Sequence, residues 1–374
     1  MSAPPWNDRH ETVSADAGKL ADAAPGGGPT GAKAGRAPVG STTIGSRLPI
    51  VPAAFFGMVL GLAGLGNAWR AAHEAWQTPA LIGEALMALG AIVWAVLVVL
   101  FVLKWIFART EALAEAFHPI QCCFIGLAGV STTLIALAAL PYSRPAAQIL
   151  FWAGATFTLA FAVWRTGLLW QGARDHGATT PVLYLPTVAG GFVTAAAAAA
   201  LGYPELGQFA FGGALFSWFA IESVLLHRLY THVTLPAALR PTLGIQLAPP
   251  TVGAVAYLAV NGGAPDLAAH ALIGYGLLQA LLMLRLLPWI LQQPFAASYW
   301  AFTFGATALA TAPLRMVAHG DVGAIAVLAP LLFVGANVAV ALVALGTLRL
   351  IAQRRLLPQA APALPRQDVA ADPR

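Results

Sequence analysis

Long apolar stretches separated by short polar links dominate the chain between residues 47 and 352. Each stretch has about 20 residues or more, which is enough to cross a hydrocarbon core roughly 30 Å thick. None of them alternates polar and apolar positions as a half-buried strand would. The pattern predicts ten transmembrane helices, at about 50–72, 82–107, 118–140, 146–171, 181–201, 206–229, 242–261, 267–291, 297–318 and 322–351.

The odd-numbered and even-numbered stretches differ in composition. Odd stretches contain proline or glycine at their start or middle, such as Pro52 in the first and Pro249 with Pro250 in the seventh, whereas most even ones are smooth and rich in large apolar residues. Odd stretches also recur about every 60 residues, which is typical of one repeated unit, here a two-helix hairpin. Because irregular backbone in a membrane needs protein or water beside it, we expect five hairpins, with an inner ring of kinked odd helices around a central pore and an outer ring of even helices.

The composition supports an all-α integral membrane protein. The chain has 59% hydrophobic and only 9% charged residues, against about 25% charged residues in a typical soluble domain. No catalytic or metal-binding motif is present, and the polar links are too short for a catalytic domain, so we predict neither an enzyme nor a cofactor. The net charge of +5 requires no nucleic acid partner. The flanking tails, residues 1–46 and 353–374, are rich in small residues and proline and are predicted to be disordered.

The basic residues predict the orientation of the chain in the membrane. With the N-terminus in the cytoplasm, Arg70, Arg144 and Arg315 lie on the far side, and the other seventeen of the twenty lysines and arginines lie on the cytoplasmic side or in the tails. The positive-inside rule therefore favours a multi-pass membrane protein with both termini in the cytoplasm.

Phenylalanines on the odd helices are the candidate residues for closing the pore. Phe304 lies in the middle of the ninth stretch and is followed at once by Gly305. Packing in the core or against lipid is the ordinary role of such a ring, but an apolar ring on the pore axis can also block conduction sterically or by dewetting. We predict Phe304 as the gate and place the other pore-lining residues at Phe56, Gly57, Phe192, Phe302 and Gly305.

Few ionisable residues lie in or near the predicted helices. Arg165 and Arg285 are predicted to form a basic vestibule or ion pairs near cytoplasmic helix ends, and Glu222 is expected to pair with the nearby His227 and Arg228. Because no chain of Asp, Glu and His crosses the predicted membrane region, passive conduction is favoured. Two alternatives stay open, a proton-coupled carrier that uses Glu222 or Glu84 and a membrane scaffold or sensor that acts through its N-terminal tail.

Two further patterns affect the inner helices. The run from Gly57 to Gly66 superficially matches a dinucleotide fingerprint, but it lies inside a membrane stretch, where spaced glycines indicate close helix packing. The fifth stretch contains the alanine run 195–200, which removes polar side chains from part of the predicted pore wall.

Several blocks of sequence resemble one family of membrane proteins. The blocks are PAAFFGMVLGLAGLGNAWR (52–70), LWQG (169–172), YLPTVAGGF (184–192), LGIQLAPP (243–250), GYGLLQ (274–279), LRLLPWI (284–290) and WAFTFG (300–305). They resemble the bacterial tellurite-resistance TehA family, whose wider group includes plant guard-cell anion channels and fungal C4-dicarboxylate transporters. The resemblance implies a homotrimer in a bacterial inner membrane, with a pore through each protomer and small inorganic or carboxylate anions as substrates. It also implies Phe304 as the gate, and Gly57 and Gly305 as glycines that give the gate ring room.

Overall fold

The computed structural model describes residues 49–172 and 175–357, and every regular element in these residues is helical. The prediction of an all-α fold is therefore confirmed. The predicted N-terminal tail, residues 1–46, and the part of the C-terminal tail after residue 357 lie outside the described residues.

The α-helices of the described chain fall into long and short ones. The long helices have 24 to 29 residues. Apart from α3, the shorter helices alternate with them along the chain. In chain order the helices are α1 (Phe56–Trp76), α2 (Ala80–Phe107), α3 (Arg109–Phe117), α4 (Leu127–Ala139), α5 (Arg144–Trp170), α6 (Gly190–Ala200), α7 (Pro204–Thr231), α8 (Ala248–Val260), α9 (Leu267–Ile290), α10 (Thr303–Ala318) and α11 (Ala324–Ala352).

Eight helical segments of the described chain are long and apolar enough to cross a membrane. Five of them are the long helices α2, α5, α7, α9 and α11, and three combine a short α-helix with the helical turns before it, at 121–139, 181–200 and 237–260. The protein is therefore a multi-pass membrane protein. The first and ninth predicted spans correspond to α1 and to the segment 297–318, which lie outside these eight.

Burial separates the two kinds of helix. In the long helices only 17% to 28% of the most apolar window is buried inside the protein, whereas 61% to 72% is buried in the three composite segments. Since apolar residues that are not covered by protein need an apolar solvent, the low burial of the long helices is the pattern expected of helices at the outside of a membrane protein. The difference agrees with the contrast between odd and even stretches in the sequence.

The short helices are preceded by tighter or wider helical turns. A 3-10 turn precedes α1, α4, α8 and α10, and a 3-10 turn followed by a π-helical turn precedes α6. Proline explains part of this irregularity, because it removes an N–H donor and restricts the residue before it. The segments are Ala53–Phe55, Gln121–Gly126, Pro181–Leu183, Leu185–Ala189, Ala237–Leu247 and Ala297–Phe302.

The sequence analysis did not predict α3, which lies between α2 and the third span. Its Glu115 accepts a hydrogen bond of 2.8 Å from the backbone N–H of Ala53 and pairs with the buried ammonium group of Lys104. Lys104 also donates to the carbonyl of Val51 at 2.9 Å. These contacts fix the chain that enters α1.

The glycines of α1 bring it close to α10. A Cβ atom on Gly61 would lie 2.3 Å from Oγ1 of Thr303, and one on Gly64 would lie 2.3 Å from Oγ1 of Thr307. Only glycine allows the two helices to approach this closely. The packing interpretation of the glycine run is therefore confirmed at Gly61 and Gly64.

Candidate functional site

Two cavities lie between the short helices, and the same five chain segments contribute to both. The N-side cavity, of about 400 Å³, is lined by the first parts of α1, α4, α6, α8 and α10 and by the irregular turns that precede them. It is also lined by the end of α11 and the residues after it, Leu350, Arg355, Leu356 and Leu357. The C-side cavity, of about 470 Å³, is lined by later parts of the same helices. The five segments therefore run in the same direction from one cavity to the other.

Three side chains line both cavities and so lie between them. They are Phe192 of α6, Val252 of α8 and Phe304 of α10. Phe192 is fully buried, and Phe304 is half-buried. An apolar layer of this kind separates the N-side cavity from the C-side cavity.

Phe304 lies against α1 at a glycine that the sequence analysis did not connect with it. A Cβ atom on Gly64 would lie 3.2 Å from Cδ2 of the Phe304 ring. Gly305 instead faces α8, since its added Cβ would lie 2.9 Å from the backbone nitrogen of Ala248, and Gly57 faces Trp300 at 3.6 Å. The space beside the ring is therefore provided by Gly64, and Gly305 allows α10 to approach the start of α8.

The other predicted pore-lining aromatic residues occupy different positions. Phe192 packs against Phe211, with ring centroids 5.5 Å apart. Phe56 is buried against Phe101 of α2, with centroids 5.7 Å apart, and it lines neither cavity. Phe302 also lines neither cavity and lies against Gly244, where an added Cβ would be 2.6 Å from its ring. Gly57 does line the N-side cavity.

Glu222 is the acceptor of a hydrogen-bond network behind the N-side cavity. Its carboxylate accepts bonds from the hydroxyl of Tyr184 at 2.5 Å, the indole of Trp218 at 2.8 Å, the amide of Gln246 at 2.9 Å and the hydroxyl of Tyr275 at 2.6 Å. The expected ion pair with His227 or Arg228 is not formed. Three of the four donors to Glu222 are neutral groups on other segments, and the fourth, Trp218, lies one turn earlier in α7. Tyr184 lines the N-side cavity, so the network fixes part of its wall.

The two arginines predicted for a basic vestibule lie away from both cavities. Arg165 is buried in α5, and its Nε has no hydrogen-bond partner in the described part of the protein. Arg285 is exposed on α9. Neither residue is among those that line the N-side or the C-side cavity, so the predicted vestibule is not formed by this pair around either cavity.

Arg70, which lines the C-side cavity, forms an ion pair with Glu84, which does not line it. Arg70 donates from Nε and Nη2 to the two carboxylate oxygens of Glu84, at 2.7 Å each, and also donates to the carbonyls of Leu137 and Ala138. Tyr142 donates to the same carboxylate at 2.8 Å, which raises the pKa of this phenol. The charge of Arg70 is thus matched within the protein.

Three residues of the site were not assigned a role from the sequence. Gly64 belongs to the recognised glycine run, but spacing alone did not show which glycine faces Phe304. Val252 is one of several small apolar residues after Pro250, and nothing in the sequence distinguishes it. Arg315 lines the C-side cavity and lies eleven positions after Phe304. Eleven residues make about three turns of a helix, so the spacing could have placed Arg315 on the same helix face as Phe304.

Comparison with known proteins gives one consistent result. The model of the SLAC1 family, described as voltage-dependent anion channel, matches residues 51–348. The chain is 34% identical over 273 residues to a tellurite resistance protein TehA homolog of Haemophilus influenzae, covering 73% of this chain and 83% of that protein. It is 26% identical over 235 residues to an uncharacterized transporter of Methanocaldococcus jannaschii, covering 54% and 65%. It is 25% identical over 278 residues to the guard cell S-type anion channel SLAC1 of Arabidopsis thaliana, covering 71% of this chain and 49% of the plant protein.

Proposed function

Because the chain belongs to the SLAC1 family of anion channels and transporters, we propose that it conducts small anions through a pore that Phe304 closes. The path consists of the N-side cavity, the layer of Phe192, Val252 and Phe304, and the C-side cavity. The observation that carries this proposal is that one apolar layer lies between two cavities lined by the same five segments.

The proposed architecture is a ring of five helical hairpins. Each hairpin joins a short inner segment to the long helix after it, and α1 with its preceding turn and the segment 297–318 complete ten spans. This arrangement is supported by the low burial of the long helices and by the packing of each inner helix against a long helix, as in α1 with α2 and α10 with α11. Irregular backbone would then line the path, where it is tolerated.

Phe304 is the proposed gate because it differs from the other residues of the apolar layer. Phe192 is completely buried and packs against Phe211 and Trp218. Phe304 is half-buried, and its ring faces Gly64 of α1. A ring beside a glycine can change rotamer with less steric resistance than one surrounded by side chains.

The direction of the inner helices supports anions as substrates. All five direct their N-terminal ends towards the N-side cavity. A helix N-terminus carries about half an elementary positive charge, so the five together favour anions at this mouth. The apolar layer would favour anions that lose their hydration shell readily.

A proton-coupled carrier has less support. Glu222 and Glu84 are the carboxylates it would use, and neither lines the N-side or the C-side cavity. Glu222 receives four hydrogen bonds from neutral donors and Glu84 is bound by Arg70, which suits structural roles for both carboxylates.

The remaining parts of the proposal follow from the relatives and the sequence. We place the protein in a bacterial inner membrane, as a homotrimer with both termini in the cytoplasm. Tellurite and C4-dicarboxylates are substrates to test beside chloride and nitrate, since the name of the Haemophilus influenzae relative refers to tellurite resistance.

The test compares anion currents of wild type, Phe304→Ala and Phe302→Ala in the same membrane at matched surface expression. Removing the plug should raise the current at least about tenfold, equivalent to removing about 1.4 kcal/mol from the barrier, with reversal at the anion equilibrium potential. Phe302→Ala is the matched control, because this ring lies two residues away but lines neither cavity. Folded Phe304→Ala protein without anion current, or equal currents in both variants, would overturn the gate.

A further inference from the structure

One line of side chains on α10 connects the apolar layer to a basic residue. Phe304, Thr307, Ala308, Thr311 and Arg315 all line the C-side cavity. In an α-helix, Arg315 lies only about 20° around the axis from Phe304 and about 16 Å further along it. The helix face that presents the ring at one end therefore presents a guanidinium group at the other.

The positive charge of Arg315 is not matched by a bound acid. Within residues 49–172 and 175–357, no carboxylate forms an ion pair with it within 4.0 Å, and its guanidinium group donates no hydrogen bond to another residue. Arg70 lines the same cavity but is held by Glu84 and two backbone carbonyls. Of these two arginines, Arg315 is the one with donors available to a ligand.

The wall of the C-side cavity also contains the amide of Asn67 and the imidazole of His319, whose Nδ1 lies 2.8 Å from the carbonyl of Arg315. The remaining hydroxyls near Arg315 are already used. The hydroxyls of Thr307 and Thr311 donate to the carbonyls of Phe304 and Thr307 within α10, at 2.9 and 2.8 Å. The opposite wall contains alanines of α6, among them Ala196 and Ala199. An anion in the C-side cavity would therefore find its strongest partner at Arg315, which offers five N–H donors.

The inner helices make a cation necessary at this end of the path. Their C-terminal ends face the C-side cavity, and each carries about half an elementary negative charge. The direction that favours anions in the N-side cavity therefore opposes them here. A full positive charge on Arg315 counteracts this field near the mouth.

We propose that Arg315 forms an anion-binding site in the C-side cavity and that its ligand is a small monovalent anion of the chloride or nitrate type. The proposal rests on the function proposed above. A single guanidinium group without a bound acid matches one negative charge. Glu74 lines the same cavity as Arg315, so its negative charge would oppose a second negative charge on the ligand.

Binding can be tested without conduction. Purified wild type, Arg315→Gln and Arg285→Gln are heated in sodium chloride and in sodium gluconate at equal ionic strength. A ligand that binds the native state raises the unfolding temperature, so chloride should stabilise wild type over gluconate, and Arg315→Gln should lose most of this difference. The control Arg285→Gln, which changes an exposed arginine outside both cavities, should respond as wild type does.

A second variant keeps the test valid if Arg315→Gln does not fold. Glu74 is exposed, and Glu74→Gln removes a negative charge from the wall of the same cavity. We expect this variant to bind chloride about two- to fivefold more tightly, equivalent to about 0.4–1 kcal/mol. An unchanged chloride affinity in Glu74→Gln would contradict the site.

Currents in a Phe304→Ala background separate this site from the pore itself. Adding Arg315→Gln should lower the anion current about three- to tenfold at ~10 mM salt and much less at ~1 M, where charges are screened within about 3 Å. If the open variant conducts and Arg315→Gln changes neither its current nor its response to chloride, the site is overturned and the pore stands. If no variant conducts but chloride still stabilises wild type and not Arg315→Gln, the site stands and the pore proposal fails.

Discussion

The N-side and C-side cavities are lined by the same five segments but differ in backbone and charge. Around the N-side cavity the chain forms 3-10 and π turns. Tyr184 lines this cavity and donates a hydrogen bond to Glu222, which does not line it. Around the C-side cavity the wall is regular α-helix and contains the charged groups Arg70, Glu74 and Arg315.

The difference shows how helix direction distributes charge along a path. The parallel short helices give the N-side cavity a positive field from their backbone dipoles, and the arginine that lines this cavity, Arg355, is exposed and follows the end of α11. The same helices give the opposite field at the other end, where a side chain such as Arg315 has to supply the positive charge. Each of the following changes weakens one of the two ends.

The largest expected effect is at the N-side cavity, from Glu222→Ala. This change removes the acceptor of four polar groups, on Tyr184, Trp218, Gln246 and Tyr275, of which the Gln246 amide keeps another bond, to the Tyr184 hydroxyl at 3.2 Å. Each unsatisfied buried donor costs about 1–3 kcal/mol, so we expect the free energy of unfolding in detergent to fall by at least about 3 kcal/mol. Glu205→Ala, at an exposed position of the same helix, is the control. A loss below about 1 kcal/mol would show that the network does not support the wall.

A smaller effect is expected at the C-side cavity, from Glu84→Ala. The Arg70–Glu84 pair is partly buried, with side-chain exposures of 20% and 28%, so its loss should lower the free energy of unfolding by about 1–3 kcal/mol. The change also leaves the charge of Arg70 unmatched, so the anion current in a Phe304→Ala background should rise. Reduced stability with a reduced current in correctly folded protein would contradict the proposed role of positive charge at this end.

The smallest effect is expected at the link between α8 and α9, which follows the part of α8 that lines the C-side cavity. Asp266 accepts a hydrogen bond from Tyr257 and one from the backbone N–H of Ala269, and these bonds hold its pKa below the usual value. A carboxyl with a lowered folded-state pKa stabilises the protein above its unfolded pKa of about 3.9 and loses this contribution as the pH falls through the folded value. We therefore expect a small drop in unfolding temperature below about pH 4.

Asp266→Asn should flatten this acid limb, since the amide does not titrate but can still cap α9. The measurement is the unfolding temperature of both proteins between pH 3 and 6. An equal drop in both would assign the acid sensitivity to other carboxyls.

Much of the fold follows from local chemistry that a sequence displays. Apolar stretches long enough for a bilayer predict helices, and the prolines and glycines of the odd stretches predict irregular, buried segments, which is what the structure has at Leu185–Ala189 and Ala237–Leu247. The sequence could also predict that Phe304 lies in the middle of the protein, because the ring is in the middle of a stretch that contains glycine and proline.

Other parts of the site depend on contacts between distant segments. The partners of Glu222 lie up to 53 residues away in sequence, so a local reading assigned it to the basic residues one turn further on. Phe56 and Phe302 carry the same signal as Phe304, and only the rotation of their helices directs them to Phe101 and Gly244.

The sequence by itself determined the helical class, the membrane environment and the alternation of more buried and less buried segments, since these depend on composition and periodicity along the chain. The tertiary structure decided which glycine faces Phe304, which carboxylate binds Arg70, and which arginine of the C-side cavity remains without a bound acid. These depend on helix rotation and packing between segments far apart in sequence, and small changes in rotation move a side chain from the path to a neighbouring helix.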